Sequence, residues 1–337
     1  MSETKSLKSR LIDVALMALS VLVMLALVEG VSTLVIKFND QGDYERDVLN
    51  SLDIRDPREP AQVRDQRVVL MIGDSFTYGL GVRYPQSYPA MLEAKLRAAQ
   101  PGVTVINGGV PGFDTYMALR QLERLHGPYQ PGLVVLGIHS GDIVQNQQAA
   151  ATGADQPATA SMGDGKAVEE AVRKSEQGMP WMYQLKEFLR LKTSTFTLVD
   201  YLYKTRLIKY VEPPADMTGL GAGDDFLPTE RALDQIHAYL KERNARLVLV
   251  AMVPLVRFDV YPYHALNARL EQYAKSRGLH FVNPLEAFSA HPSSELWVSI
   301  RDGHYNAKGN DIISGVVAKH LLDHQLLPPA RAASQPQ

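Results

Sequence analysis

The sequence predicts an α/β protein: a three-layer α/β/α sandwich on a five-stranded parallel sheet, preceded by one N-terminal transmembrane helix. Three observations carry this expectation. Short apolar runs alternate with stretches of helical spacing. The runs are nearly continuous rather than alternating apolar and polar, as strands are when helices cover both faces of their sheet. The chain also opens on an exceptionally apolar segment. Strands alternating with helices favour parallel pairing through helical crossovers.

The opening segment runs from Leu11 to Phe38, and Val14 to Val28 is broken only by Ser20. That run spans ~22 Å as a helix, short of a ~30 Å hydrocarbon core, whereas extension to Ile36 gives ~35 Å. Lys5, Lys8 and Arg10 precede it; Asp40, Asp43, Glu45 and Asp47 follow, with Lys37 and Arg46 among them. The Lys/Arg bias places residues 1–10 in the cytoplasm, 11–36 in the inner or plasma membrane as a signal anchor, and the rest on the extracytoplasmic, periplasmic side. No small-x-small cleavage site follows the apolar run, and with no cysteine there is no lipoprotein attachment site.

Residues 37–66 are polar, carry Pro57 and Pro60, and read as a stalk. The folded body is expected over 67–325. Its strands are Val68–Ile72, Val103–Ile106, Leu133–Ile138, Arg246–Val253 and His280–Val282. Its helices are Tyr88–Ala99, Thr115–Leu125, Arg231–Arg243, His264–Arg277 and Asp311–Leu322. An insertion occupies about 145–230. It begins with a Gln/Ala/Gly/Ser/Thr-rich stretch and continues with Trp181, Tyr183, Phe188, Tyr201, Tyr203 and Tyr210 on helical spacing. Residues 326–337 read as a disordered tail.

Composition narrows the chemistry. Of 337 residues, 45% are hydrophobic and 21% charged, which excludes wholesale disorder. Cysteine is absent, so disulfides, thiolate nucleophiles and cysteine-bound metals are excluded; this is compatible with an oxidising compartment. Lys+Arg of 35 against Asp+Glu of 37 leaves a net charge of −2 and no electrostatic footprint for nucleic acid.

Ligands of open parallel sheets bind beyond the carboxyl ends of the strands. The first strand runs into Gly73-Asp74-Ser75-Phe76-Thr77-Tyr78-Gly79, where an exposed serine would open the next turn beside unpaired backbone amides. Thr77 stands where a G-x-S-x-G elbow needs glycine. The second strand runs into Asn107-Gly108-Gly109-Val110-Pro111-Gly112, and a free Gly109 N–H can point into a site. The third ends in Gly137-Ile138-His139-Ser140-Gly141-Asp142. Near the C-terminus, Asp302-Gly303-His304 lies in a loop before the last helix, so a carboxylate can hold one ring nitrogen while the other faces the serine. Neither a phosphate loop nor a dinucleotide fingerprint follows any strand.

On these blocks the sequence resembles the SGNH, or GDSL, hydrolases across about residues 67–325. Gly73-Asp74-Ser75 matches the first block, Asn107-Gly108-Gly109 the second, and Asp302-x-His304 with Asn306 and Gly309 the last. The resemblance implies a flavodoxin-like fold and ester hydrolysis or acyl transfer through a serine acyl-enzyme. Ser75, His304 and Asp302 would be the triad, and the backbone amides of Ser75 and Gly109 the oxyanion hole. Asp74, Asn107, His139, Ser140 and Asp142 are further pocket candidates. Two departures stand out. Gly141 replaces the asparagine of the third block, an oxyanion donor, with Ser140, His139 or Asn146 as substitutes. The last block has D-x-H where D-x-x-H is commoner, a spacing similar to that of polysaccharide O-acetyltransferase relatives. The expectation is an anchored serine esterase, acting on an acylated small molecule or polysaccharide and needing neither metal nor organic cofactor. The alternatives are an O-acyltransferase working on an extracytoplasmic polysaccharide and a catalytically weak carbohydrate-binding or assembly protein.

Overall fold

The computed structural model describes residues 7–152 apart from 41 and 44–47, then 181, 185, 188, 189, 192–207 and 219–329. Five strands, β1 (Arg67–Ile72), β2 (Val103–Asn107), β3 (Leu133–His139), β4 (Arg246–Met252) and β5 (His280–Val282), form one sheet in the order β2-β1-β3-β4-β5. All four pairings are parallel, with Val69 opposite Leu133 and Leu70 opposite Ile106. This is the flavodoxin-like order, with its topological switch next to β1.

The helices are α1 (Leu7–Asn39), α2 (Ser75–Tyr78), α3 (Tyr88–Ala99), α4 (Thr115–Tyr129), α5 (Ser140–Thr152), α6 (Ser194–Leu202), α7 (Leu227–Lys241), α8 (His264–Arg277), α9 (Leu285–Ser289) and α10 (Ala307–Asp323). The period of two along β1 assigns its side chains to two cores. Val69 and Met71 join Leu92 and Leu96 of α3 and Val317 and Leu321 of α10. Val68, Leu70 and Ile72 join Leu122 and Leu125 of α4, Ile236 of α7 and Leu270 of α8. Both faces are therefore covered, which is why the strands read as unbroken apolar runs. A one-residue slip of β1 would exchange the two sets, so burial fixes the register.

α1 includes a 28-residue span, Ile12–Asn39, long and apolar enough to cross a membrane, with a mean hydropathy of 2.5. Its last third has a polar stripe that packs on α6. Glu29 accepts from the backbone N–H of Ser194 (2.5 Å) and of Thr195 (3.0 Å) and from the Thr195 hydroxyl (2.7 Å), and the Thr33 hydroxyl donates to Ser194 Oγ (2.9 Å). These amides open α6 and have no partner within the helix, so a carboxylate supplied from α1 acts as their cap.

Four expectations change. The stalk is shorter than composition suggested: Ile54, Arg55, Asp56 and Val63 are buried. Arg55 donates to the carbonyls of Gly79 and Val82, each at 2.6 Å, while Asp56 accepts from Arg58 and from the Asn107 N–H. Charged residues read as solvated unless their partners are known, and apart from Arg58 these partners lie 24 or more residues away. Asp302 and His304 sit on a strand rather than a loop: β6 (Trp297–Ser299) and β7 (Asp302–Tyr305) form an antiparallel hairpin ahead of α10. The expected insertion opens as a helix, α5, that continues to Thr152. Its aromatics divide: Tyr201 packs edge-on against Trp297, Trp181 and Phe188 are exposed, and Tyr183 and Tyr210 lie outside the described residues. The tail begins later than expected, because Leu326 and Leu327 are buried and Arg67 donates to the Pro328 carbonyl; 330–337 lie outside the described residues.

Candidate active site

β1 ends at Ile72, and the chain turns at once into α2, whose first residue is Ser75. Asp74 caps this short helix by accepting the Phe76 N–H at 2.9 Å. Capping turns the Asp74 carboxylate back onto the helix and leaves the Ser75 side chain at the carboxyl edge of the sheet.

The hairpin brings the histidine to it. Alternate residues of a strand share a face, so D-x-H on β7 puts carboxylate and imidazole side by side. Asp302 Oδ1 accepts both the His304 backbone N–H (2.9 Å) and the ring Nδ1–H. The opposite ring nitrogen, Nε2, lies 2.7 Å from Ser75 Oγ, within hydrogen-bond reach. Phe76 backs this group, its ring centroid 4.7 Å from His304, 4.7 Å from Tyr305 and 4.8 Å from His139. Ser75, His304 and Asp302 are thus in one hydrogen-bonded line although up to 229 residues separate them.

The glycine loop is arranged differently from the expectation. The Gly109 N–H donates to Asn107 Oδ1 at 3.1 Å, and a Cβ at Gly109 would lie 2.5 Å from the Tyr78 nitrogen. Gly109 is therefore a close-packing position against α2, and its amide is already engaged. Asn107 is fully buried, its Nδ2 donating to the Tyr78 carbonyl at 3.1 Å, so its part is to tie the loop to α2. Gly112, three residues on, lines the cleft with Ser75 and has φ +80°, a conformation that favours glycine. Neither the Ser75 nor the Gly112 N–H has an acceptor among the described residues. The third glycine in the six-residue loop was the only sequence signal for Gly112.

The third block is also filled in its own way. A Cβ built on Gly141 would lie 3.2 Å from His139 Nδ1, so the His139 ring stands where a longer side chain at 141 would begin. The Gly141 N–H donates to that Nδ1 at 3.1 Å, which fixes the proton on Nε2. Burial lowers the His139 pKa, keeping the ring neutral. Asp142 accepts the His139 N–H at 3.2 Å, and burial holds its carboxyl well above the usual range. Ser140 opens α5 at the cleft edge. Asn146 is turned away and fully buried, donating to Thr115 Oγ1 (2.9 Å) and Thr229 Oγ1 (2.8 Å).

The cleft over these residues has a volume of about 480 Å³. Thr197, Asp200 and Lys204, from α6 and the turn after it, form one wall with Arg301; Leu255 and Trp297 form another. Arg301 donates to Ser194 Oγ at 3.1 Å, joining the β6–β7 hairpin to the start of α6.

The model of the GDSL-like Lipase/Acylhydrolase family matches residues 71–312. The chain belongs to this family. Membership makes it a hydrolase of ester bonds and agrees with the fold expected from the blocks. Among curated proteins, an arylesterase from Vibrio mimicus is 32% identical over 74 residues, 22% of this chain and 37% of that protein. Among solved structures of GDSL-type and related esterases, the psychrotrophic esterase EstA of Pseudoalteromonas sp. is 14% identical with a TM-score of 0.42, the match covering 76% of this chain and 100% of that one. An acetylxylan esterase from Geobacillus stearothermophilus is 14% identical with a TM-score of 0.43, covering 76% and 94%.

Proposed function

We propose that the protein is a membrane-anchored serine esterase of this family, its catalytic body on the extracytoplasmic side. The observation that carries the reading is the 2.7 Å contact between Ser75 Oγ and His304 Nε2 with Asp302 on the far ring nitrogen. His304 takes the Ser75 proton as Oγ attacks the ester carbonyl. Asp302 holds the tautomer and stabilises the imidazolium. The imidazolium then protonates the departing alkoxide, and the acyl-enzyme is released by water that His304 deprotonates.

The oxyanion forms against the N–H groups of Ser75 and Gly112, with His139 Nε2–H as third donor in place of the missing asparagine. A neutral imidazole with a fixed proton supplies that hydrogen bond without reorganisation. The reading of a weak, non-catalytic assembly protein drew on Gly141 alone, and the His139 ring supplies a donor beside that position. All three donors and the base belong to the chain, and the sequence of steps runs through them alone.

The substrate reading favours an acyl group carried on a hydroxyl-rich molecule such as a polysaccharide. Its support is the wall of Thr197, Asp200, Lys204 and Arg301, which offers both donors and acceptors beside the reacting centre. The same wall suits a sugar hydroxyl as acyl acceptor, so transfer to a polysaccharide is the second reading. The bilayer is the other partner, through α1, whose flanking charges orient it.

Turnover of p-nitrophenyl acetate by the full chain in detergent, with Ser75→Ala beside it, tests the reading. The variant is expected to lose on the order of 10³-fold or more in kcat. Equal rates would remove Ser75 from the chemistry. Faster acetyl transfer to an oligosaccharide than to water would select the second reading.

A further inference from the structure

Away from the cleft, three histidines meet. His280 opens the edge strand β5, pairing with Val248 at the amino end of the sheet. His320 and His324 stand one turn apart at the end of α10, where His324 is the C-cap. Ser75 and His139 lie at the carboxyl ends of β1 and β3, so the trio occupies the opposite edge of the sheet.

The geometry is that of a convergent ligand set. His280 Nδ1 and His320 Nε2 are 3.1 Å apart. Ring centroids are 5.2 Å apart for His280 and His320, 4.9 Å for His280 and His324, and 4.4 Å for His320 and His324. One nitrogen from each ring can be chosen so that all three lie within 4.8 Å of one another. Zn–N bonds of ~2.0–2.1 Å in a tetrahedral site put ligand nitrogens ~3.4 Å apart, close to the 3.1 Å between His280 and His320.

The surroundings leave those nitrogens to each other. Among the described residues, no carboxylate or carbonyl hydrogen-bonds to any ring nitrogen of the trio. The neighbouring charges divide: Asp323 lies beside His320 and is paired with Lys319, while Arg246 lies on the His280 side and donates to the Gln325 carbonyl at 3.0 Å.

We propose that His280, His320 and His324 bind a divalent transition-metal ion, Zn²⁺, through three imidazoles with water in the fourth position. Three nitrogen ligands without a carboxylate select borderline cations over Mg²⁺ and Ca²⁺, which require oxygen. The ion pins the C-terminal end of α10 to the edge strand, closing the side of the sheet that has no further strand to pair with. The site is independent of the ester chemistry.

The test uses the full chain in detergent, purified without a polyhistidine tag and stripped with a chelator. Calorimetric titration with Zn²⁺ is expected to show one equivalent bound. A hundredfold excess over Kd should raise Tm by roughly 5–10 °C. Co²⁺ should give the intense visible absorption of tetrahedral coordination. The variant His320→Gln/His324→Gln is expected to lose all three responses and keep p-nitrophenyl acetate turnover within about twofold. Should that variant fail to fold, His324→Gln alone, at an exposed position, is expected to weaken Zn²⁺ at least about tenfold, the lower end for losing part of a metal's support. Absence of saturable binding, binding unchanged in the variants, or an equal Tm rise with Ca²⁺ would overturn the proposal. Ser75→Ala is expected to keep full Zn²⁺ binding, so loss of the esterase reading and loss of the metal site are read separately.

Discussion

The two ends of the sheet each gather histidines, and the two groups are built on opposite plans. At the carboxyl end, His304 is flanked by unlike partners, a carboxylate on Nδ1 and a hydroxyl on Nε2. His139 beside it has an amide donor on Nδ1 and, among the described residues, no hydrogen-bond partner on Nε2. Each ring has a fixed tautomer and a direction in which to give or take a proton. At the amino end, His280, His320 and His324 face one another, the first two sharing a hydrogen bond, and among the described residues no carboxylate or carbonyl hydrogen-bonds to their ring nitrogens. The imidazole is the same in both places. What differs is whether its neighbours organise a proton or leave lone pairs converging on a point, and that difference separates acid–base work from ligation.

The comparison breaks most readily at His304. Replacement by alanine is expected to lower kcat by about 10⁴-fold or more, and Asp302→Asn by about 10³–10⁴-fold because the amide no longer fixes the tautomer. Stopped assays with p-nitrophenyl acetate measure both, and a fall under tenfold would place the base elsewhere. The next largest effect tests His139. His139→Phe keeps a ring against Phe76 and removes the donor, so kcat should fall by ~10²–10³ with KM little changed. His139→Ala with Gly141→Asn clears the space that the ring fills and restores an amide donor; recovery of about tenfold or more over His139→Ala alone is the sharpening result. Glu29→Ala gives the smallest change. It removes the cap of α6 at a cost of ~0.5–2 kcal/mol, read as a fall in Tm of a few degrees while kcat stays within about twofold.

The sheet was legible because its signal is local. Each strand is a run of apolar residues whose burial is decided by its own neighbours, and all five boundaries fall within about a residue of expectation. Ser75 and His304 were legible for another reason: their blocks are short and their order along the chain is characteristic. What escaped were interactions between distant residues. Arg55 and Asp56 looked like stalk because nothing nearby in the sequence reveals the Gly79 and Val82 carbonyls or the Asn107 amide that satisfy them. The Gly109 amide was expected to be free because the loop holds three glycines and only the fold tells which amide is engaged. Asp302-x-His304 read as loop because glycine at 303 suppresses the strand signal. The histidine trio had one local sign, the four-residue spacing of His320 and His324; the third ligand is 40 positions away.

The grip of Glu29 on α6 has a practical bearing on how this enzyme should be handled. Deleting residues 1–40 to gain solubility would spare the sheet and the Ser75–His304–Asp302 line. It would also leave the first amides of α6 without the carboxylate that ends them, on the helix that supplies Thr197 and Asp200 to the cleft over Ser75. Such a fragment would hydrolyse small activated esters and misreport selectivity toward bulky ones. Substrate profiling therefore belongs in nanodiscs or micelles, with the leading helix retained.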